Sequence, residues 1–197
     1  MQGVGSLKRL PTPVCLWHQI GMLQLMNNHM QPVKMIDVGH KSVTVRTAEA
    51  SGVLLLQPKT LEHIVAGDLA KGDAVNTARV AGIMAAKRTA EFVPLCHPLP
   101  LDAVAVDIGF EKGGNGLRTA VRVAAKVITR AKTGVEMEAL TAVTAALMTL
   151  YDMAKSIDRD MVISDILIDT KTGGSRGDYE RSDGADALSE RVDVAGR

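Results

Sequence analysis

A histidine caught among three prolines, two glutamates at a helix start and an aspartate one helical turn from a lysine carry the clearest chemical potential in this chain. The histidine lies in Pro94-Leu95-Cys96-His97-Pro98-Leu99-Pro100. Prolines at this density fix much of the backbone and forbid a regular helix or strand ladder. His97 is therefore held in one orientation, which suits proton transfer or phosphate contact. The plainer reading is a packed loop in which the imidazole satisfies a backbone carbonyl. Cys96 and His97 do not read as metal ligands: adjacent residues rarely chelate one ion, and no C-x-x-C or H-x-x-x-H partner accompanies them. No metal site is expected.

The glutamates belong to Thr133-Gly134-Val135-Glu136-Met137-Glu138. Thr133 and Glu136 match a capping box, in which each side chain satisfies the other's backbone N–H. Projected at ~100° per residue, Glu136 also falls within roughly 20° of the Leu147 direction, over an apolar stripe. A carboxylate there needs a partner. Glu138 points the opposite way and is not needed for the cap. Further along the same helix Asp152 and Lys155 stand at i,i+3, either as an ordinary surface ion pair or as an acid/base pair in which the ammonium keeps the carboxylate ionised. Two stretches add cations. Lys71-Gly72-Asp73 puts one at a helix start, where anions bind well. Lys171-Thr172-Gly173-Gly174-Ser175-Arg176-Gly177 is a glycine-rich exit from a strand, able to turn N–H groups towards an anion, though it lacks the G-x-x-x-x-G-K-[ST] pattern of a P-loop.

These residues need a scaffold, and the composition supplies one. The 197 residues are 46% hydrophobic and 23% charged with a formal net charge of +1, so one well-buried domain is expected and no global field draws the chain to nucleic acid or an acidic membrane. Two cysteines, Cys15 and Cys96, are too few for a disulfide framework and fit a reducing, cytoplasmic compartment. No stretch approaches the ~20 apolar residues of a membrane span. Residues 1–33 read as a poorly ordered extension, residues 34–177 as a single domain, and the polar segment 178–197 as a flexible tail.

Within the domain, alternation across Val43–Thr47 predicts a strand. Pro58 opens a helix stopped at Gly67, and Asp73 caps a longer, small-residue helix running to about Thr89. Val104, Val106, Ile108 and Phe110 line one face of a second strand. Leu117, Thr119, Val121, Val123 and Ala125 line one face of a third, joined to the second by a turn at Lys112–Gly116. Leu140, Val143, Leu147, Leu150, Ala154 and Ile157 form the stripe of a helix over about Gly134–Ile157, and Met161–Asp169 closes the pattern as a strand. The order β-α-β-β-α-β predicts an α+β, ferredoxin-like antiparallel sheet with helices packed on one face. The charged positions on the other face predict a wet or subunit-facing surface.

In this order the motifs resemble the cyclic pyranopterin monophosphate synthase family, also called molybdenum cofactor biosynthesis protein C. The resemblance spans about Lys34–Asp178: Met35-Ile36-Asp37-Val38 with Lys41 and Arg46, Lys71-Gly72-Asp73, Ala85-Ala86-Lys87-Arg88-Thr89, the His97 loop, Thr133–Thr141, and Tyr151-Asp152-Met153 with Lys155. It implies a lyase that converts (8S)-3′,8-cyclo-7,8-dihydroguanosine 5′-triphosphate to cyclic pyranopterin monophosphate and diphosphate. The implied assembly is a homohexamer, a trimer of dimers, with sites at subunit interfaces. Asp152 is then the principal acid/base, with Lys155 and Lys71 as catalytic neighbours. Leu95, Cys96, His97, Glu136, Met137, Glu138, Lys171, Lys41 and Arg46 line the substrate site. No resident cofactor is implied, and whether Mg²⁺ accompanies the triphosphate is left open. Two positions depart from the family: the exit loop has Ser175-Arg176 where Lys-Ser is usual, and Ala154 replaces a cysteine.

The rival class is a ferredoxin-like module that binds RNA or senses a ligand without catalysis. RNA recognition on such a sheet uses exposed aromatics, and the chain has only two Phe, two Tyr and one Trp. A small-molecule sensor would keep the cations but would have no use for Asp152 and Lys155.

Overall fold

The computed structural model describes residues 32–113, 119–175 and 177–182. The chain divides into two units, Met1–Lys34 and Met35–Arg197, and the fold is that of the second. Its elements in order are β1 (Thr44–Leu56), α1 (Pro58–Ala66), α2 (Ala74–Ala86), the single turn α3 (Thr89–Phe92), β2 (Ala103–Glu111), β3 (Thr119–Ala131), α4 (Glu136–Ala154), β4 (Val162–Thr172) and β5 (Tyr179–Glu180). The strands form one sheet in the order β2-β3-β1-β4-β5, antiparallel throughout. This is the ferredoxin-like arrangement that the element order predicts, with β5 added at the β4 edge.

The sheet's core face is written in alternation. On β1, Ala48, Ala50, Leu54 and Leu56 are buried together with Val121, Val123, Ala125 and Val127 of β3. Helix α4 answers with Val143, Leu147 and Leu150. Gly52 interrupts the β1 series for a reason: a Cβ there would lie 2.8 Å from Leu147 Cδ1 and 2.9 Å from Val143 Cγ1. Helix α2 packs alongside α4 through its small residues, and a Cβ on Gly82 would come 2.8 Å from the Ala142 carbonyl oxygen. The opposite sheet face carries the ion pairs Glu49–Lys126 (2.7 Å) and Glu111–Arg122 (2.8 Å), together with a small buried apolar group of Val53, Leu55 and Ala120.

Helix ends follow local chemistry. Pro58 occupies the first turn of α1, and Gly67 closes it in the left-handed region at φ 69°, a conformation that costs glycine little. Asp73 Oδ1 accepts from the Asn76 N–H at 3.0 Å, the predicted cap of α2. A remote residue caps α1: the carboxylate of Asp158, 2% exposed, accepts from the Gln57 N–H (2.9 Å) and the Thr60 hydroxyl (3.2 Å).

Several boundaries differ from the sequence expectation. β1 runs to Leu56, because Val53-Leu54-Leu55-Leu56 continues the strand without visible alternation. The helix expected to reach Thr89 ends at Ala86, and a separate turn follows. Phe110, expected on the buried face, is 42% exposed near the end of β2. Tyr179–Glu180, within the predicted tail, pair with Lys171 and Thr170. The expected turn at Lys112–Gly116 lies mostly outside the described residues, as do Leu117, Arg118 and Arg176. Among the described residues no helix is long and apolar enough to cross a membrane.

Candidate active site

Helix α4 carries a reactive cluster at each end. At its C-terminus Asp152 sits between two ammonium groups: Lys155 Nζ is 2.6 Å from Oδ1 and Lys71 Nζ is 2.5 Å from Oδ2. Lys71 Nζ also donates to the Asp152 carbonyl at 3.2 Å. Lys71 arrives from the loop between α1 and α2, 81 residues away in sequence. All three side chains are about half exposed, so the group is open to a ligand. Hydrogen bonds from Lys155 and then Lys71 hold the Asp152 carboxyl down to about 2. Asp152 is thus an ionised acceptor flanked by two charged donors, a set able both to take a proton and to bind an anion.

The second cluster gathers round the start of α4. The expected capping box is absent. The N-cap is Val135, with no side-chain cap bond. Glu136 instead folds back over Gly134, where any Cβ would collide with its Oε2, and its Oε1 pairs with Lys171 Nζ of β4 at 3.0 Å. That is the partner its position over the stripe demands. A tertiary ion pair has displaced the local cap, and glycine at 134 is what permits it. Glu138, whose direction suggested the outer side, is only 4% exposed. Burial, with a smaller push from Glu136, raises its carboxyl above the ordinary value, against a lowering backbone hydrogen bond. Burial and the Glu138 charge likewise raise the Cys96 thiol, which ties the proline-rich loop to this end of α4. The loop is anchored by Thr129, whose hydroxyl donates to the Pro100 carbonyl at 2.6 Å. His97 and Cys96 are partly buried there, while Leu95 (46%) and Met137 (39%) stand out as apolar surface.

Arg46 lies on β1 at the same end of the sheet, 9% exposed, with its Nη2 donating to the Lys132 carbonyl at 3.4 Å. Its Nε is buried with no partner among the described residues. The exit loop closes over it: Gly173 and Gly174 have φ of 87° and 97°, and a Cβ on Gly174 would strike the guanidinium. The loop's Gly173 N–H donates to the chain's own Asp178 carboxylate at 2.9 Å, and its glycines serve to lie against Arg46. Lys41 is partly buried in the strap before β1, its N–H donating to the Val38 carbonyl at 3.0 Å.

The two clusters do not meet within one chain. Glu138 and Asp152 are 14 positions apart on one helix, about 21 Å at 1.5 Å per residue. Lys71 and Asp152, by contrast, are in contact in the same chain. Ala154, in place of the usual cysteine, is fully buried, so the difference is one of packing. Sequence reading missed Lys132 and Asp158, because the partners of both, the Gly39 carbonyl and the Gln57 N–H with the Thr60 hydroxyl, lie far away in sequence. Among the described residues no group of three or more His, Cys, Asp or Glu is placed to hold a metal ion.

Fold and clusters together define a ferredoxin-like α+β domain that presents ammonium, guanidinium, imidazole and carboxylate groups. Residues 35–174 match the MoaC family, and the chain belongs to that family. It is 54% identical over 150 residues to "Cyclic pyranopterin monophosphate synthase 3" of Mycobacterium tuberculosis strain H37Rv, covering 76% of this chain and 82% of that protein. It is 51% identical over 146 residues to the cyclic pyranopterin monophosphate synthase of Herpetosiphon aurantiacus (74% and 87%). It is 52% identical over 147 residues to that of Parvibaculum lavamentivorans (75% and 89%).

Proposed function

We propose that this chain is a diphosphate-releasing lyase of molybdenum cofactor biosynthesis, converting (8S)-3′,8-cyclo-7,8-dihydroguanosine 5′-triphosphate to cyclic pyranopterin monophosphate. The named activity of its relatives supports the reaction, and one observation carries the chemistry: a carboxylate bonded through both oxygens to two ammonium groups on an open surface. Forming a cyclic monophosphate from a triphosphate joins a substrate hydroxyl oxygen to the α-phosphorus and breaks the bond to the departing diphosphate. The hydroxyl proton must go to a base, and the charge growing on diphosphate must meet cations. Asp152, ionised, is the acceptor. Lys71 and Lys155 are the donors beside it; as they turn to phosphate oxygens they loosen their hold on Asp152 and raise its basicity towards the ordinary carboxylate range.

The remaining assignments follow the second cluster. Lys41, Arg46 and Lys171 hold phosphate and Glu136 keeps Lys171 in place. His97 and Glu138 exchange protons with the ring atoms, and Leu95, Cys96 and Met137 wall the site. Because the two clusters lie at opposite ends of α4, one substrate reaches both only where two copies meet. We therefore read the site as composite, in a cytoplasmic homohexamer of three dimers. No resident cofactor enters this scheme. The test is incubation of the purified chain with the cyclised guanosine triphosphate and mass detection of products. Cyclic pyranopterin monophosphate and diphosphate in equal amounts are expected; unchanged substrate from a folded, assembled protein would refute the reading.

A further inference from the structure

We infer that Lys132 is a positioning residue for the phosphate-binding cations, acting as the latch of the strap that carries Lys41. The inference rests on the function proposed above. Residues 35–43 precede β1 without regular structure of their own. They hold their shape by two short turns: the Asp37 Oδ1 accepts from the Gly39 N–H at 2.7 Å, and Lys41 N–H donates to the Val38 carbonyl at 3.0 Å. Nothing in those turns fixes the strap to the domain. Lys132 does. From the end of β3 its Nζ donates to the Gly39 carbonyl at 2.7 Å, and its own carbonyl receives Arg46 Nη2 at 3.4 Å.

One residue thus ties together two cations that have no direct bond to each other. Lys41 enters the site on a strap pinned at Gly39, two residues away. Arg46, with Nε buried and unpartnered among the described residues, is steered from the same residue's backbone. Positioning of groups that bind phosphate equally in ground and transition states affects KM rather than kcat.

The experiment compares wild type, Lys132→Met, Lys132→Arg and Asp37→Ala as full chains. Turnover of the cyclised triphosphate, calorimetric binding of inorganic tripolyphosphate and amide hydrogen exchange of the strap are measured on each. For Lys132→Met we expect KM and the tripolyphosphate Kd to rise about tenfold, as loss of one charge-assisted hydrogen bond would give. We expect kcat to stay within about twofold, and the Gly39 and Lys41 amides to exchange faster. Lys132→Arg restores all three. Asp37→Ala separates latch from charge: it removes an anion, which by charge alone tightens tripolyphosphate binding, yet it opens the Gly39 turn and is expected to weaken it. Tighter binding by Asp37→Ala, unchanged Kd in Lys132→Met, or no tripolyphosphate binding by wild type overturns the inference. Failure of wild type to turn over the cyclised triphosphate sinks the proposed reaction instead, while the binding and exchange results still decide the latch.

Discussion

Replacing Asp152 by Asn removes the ionised acceptor at almost constant shape. In the native chain Oδ1 takes Lys155 and Oδ2 takes Lys71. An amide keeps one oxygen for one ammonium and turns an NH₂ against the other, and it cannot accept a proton. The loss on the chemical step should therefore match removal of a general base, about 10²- to 10⁴-fold in kcat. Folding should be nearly untouched, because ion pairs this exposed add little to stability. The assay is single-turnover formation of diphosphate, read beside thermal unfolding and the mass of the assembly. Turnover within about threefold of wild type, with melting and assembly unchanged, would refute Asp152 as the proton acceptor, since a base contributes at least about 10². A collapse of assembly would instead assign the Lys71–Asp152–Lys155 group a structural role.

Other perturbations test other parts of the account. Asp158→Ala should cost about 3 kcal/mol, because a 2% exposed carboxylate bonded to Gln57 and Thr60 is lost and donors at the α1 start are left unpaired. That predicts a fall in Tm of roughly 6–12 °C, and an unchanged melting curve would contradict it. Gly82→Ala should lose about 1–2 kcal/mol: the added methyl meets the Ala142 carbonyl oxygen at 2.8 Å, which no rotamer change relieves, and this outweighs the gain in helix propensity. A higher Tm would contradict that packing. Glu138→Gln should raise Tm at neutral pH. Burial lifts the folded Glu138 carboxyl above its ordinary 4.5, so folding favours the protonated form. Its contribution is complete below pH 4.5 and is lost as pH rises through the folded value. The advantage of Gln should thus vanish in acid, and an advantage equal at pH 4 and pH 7 would count against burial as the cause.

Much of this arrangement could be read along the chain, where short-range periodicity carries the information. The alternation of Thr119 to Ala125 and the stripe Val143-Leu147-Leu150 face one another across the core as their spacing predicts. Where the cue was weak the reading fell short: β1 continues through four consecutive apolar residues with no period-2 signal, and β5 is held by β4 rather than by its own residues. At the site, motif residues were legible as types but their pairing was not. Thr133 and Glu136 satisfy a local rule that Lys171 overrides from across the fold. Lys71 meets Asp152 across a sequence separation of 81, which no periodicity encodes. Lys132 meets the Gly39 carbonyl and Asp158 the Gln57 N–H and Thr60 hydroxyl across more than 90 positions, and no sequence pattern marks such partners.

In the composite site proposed above, the two ends of α4, from different copies, work on one substrate. Mixing Lys171→Ala with Asp152→Asn chains, one lesion in each cluster, tests it most directly once native mass spectrometry has verified exchange of subunits. Random pairing across a two-fold interface leaves one intact site in each mixed dimer, so about a quarter of wild-type activity should return from two inactive proteins. A fully exchanged mixture no more active than its parents would contradict the claim.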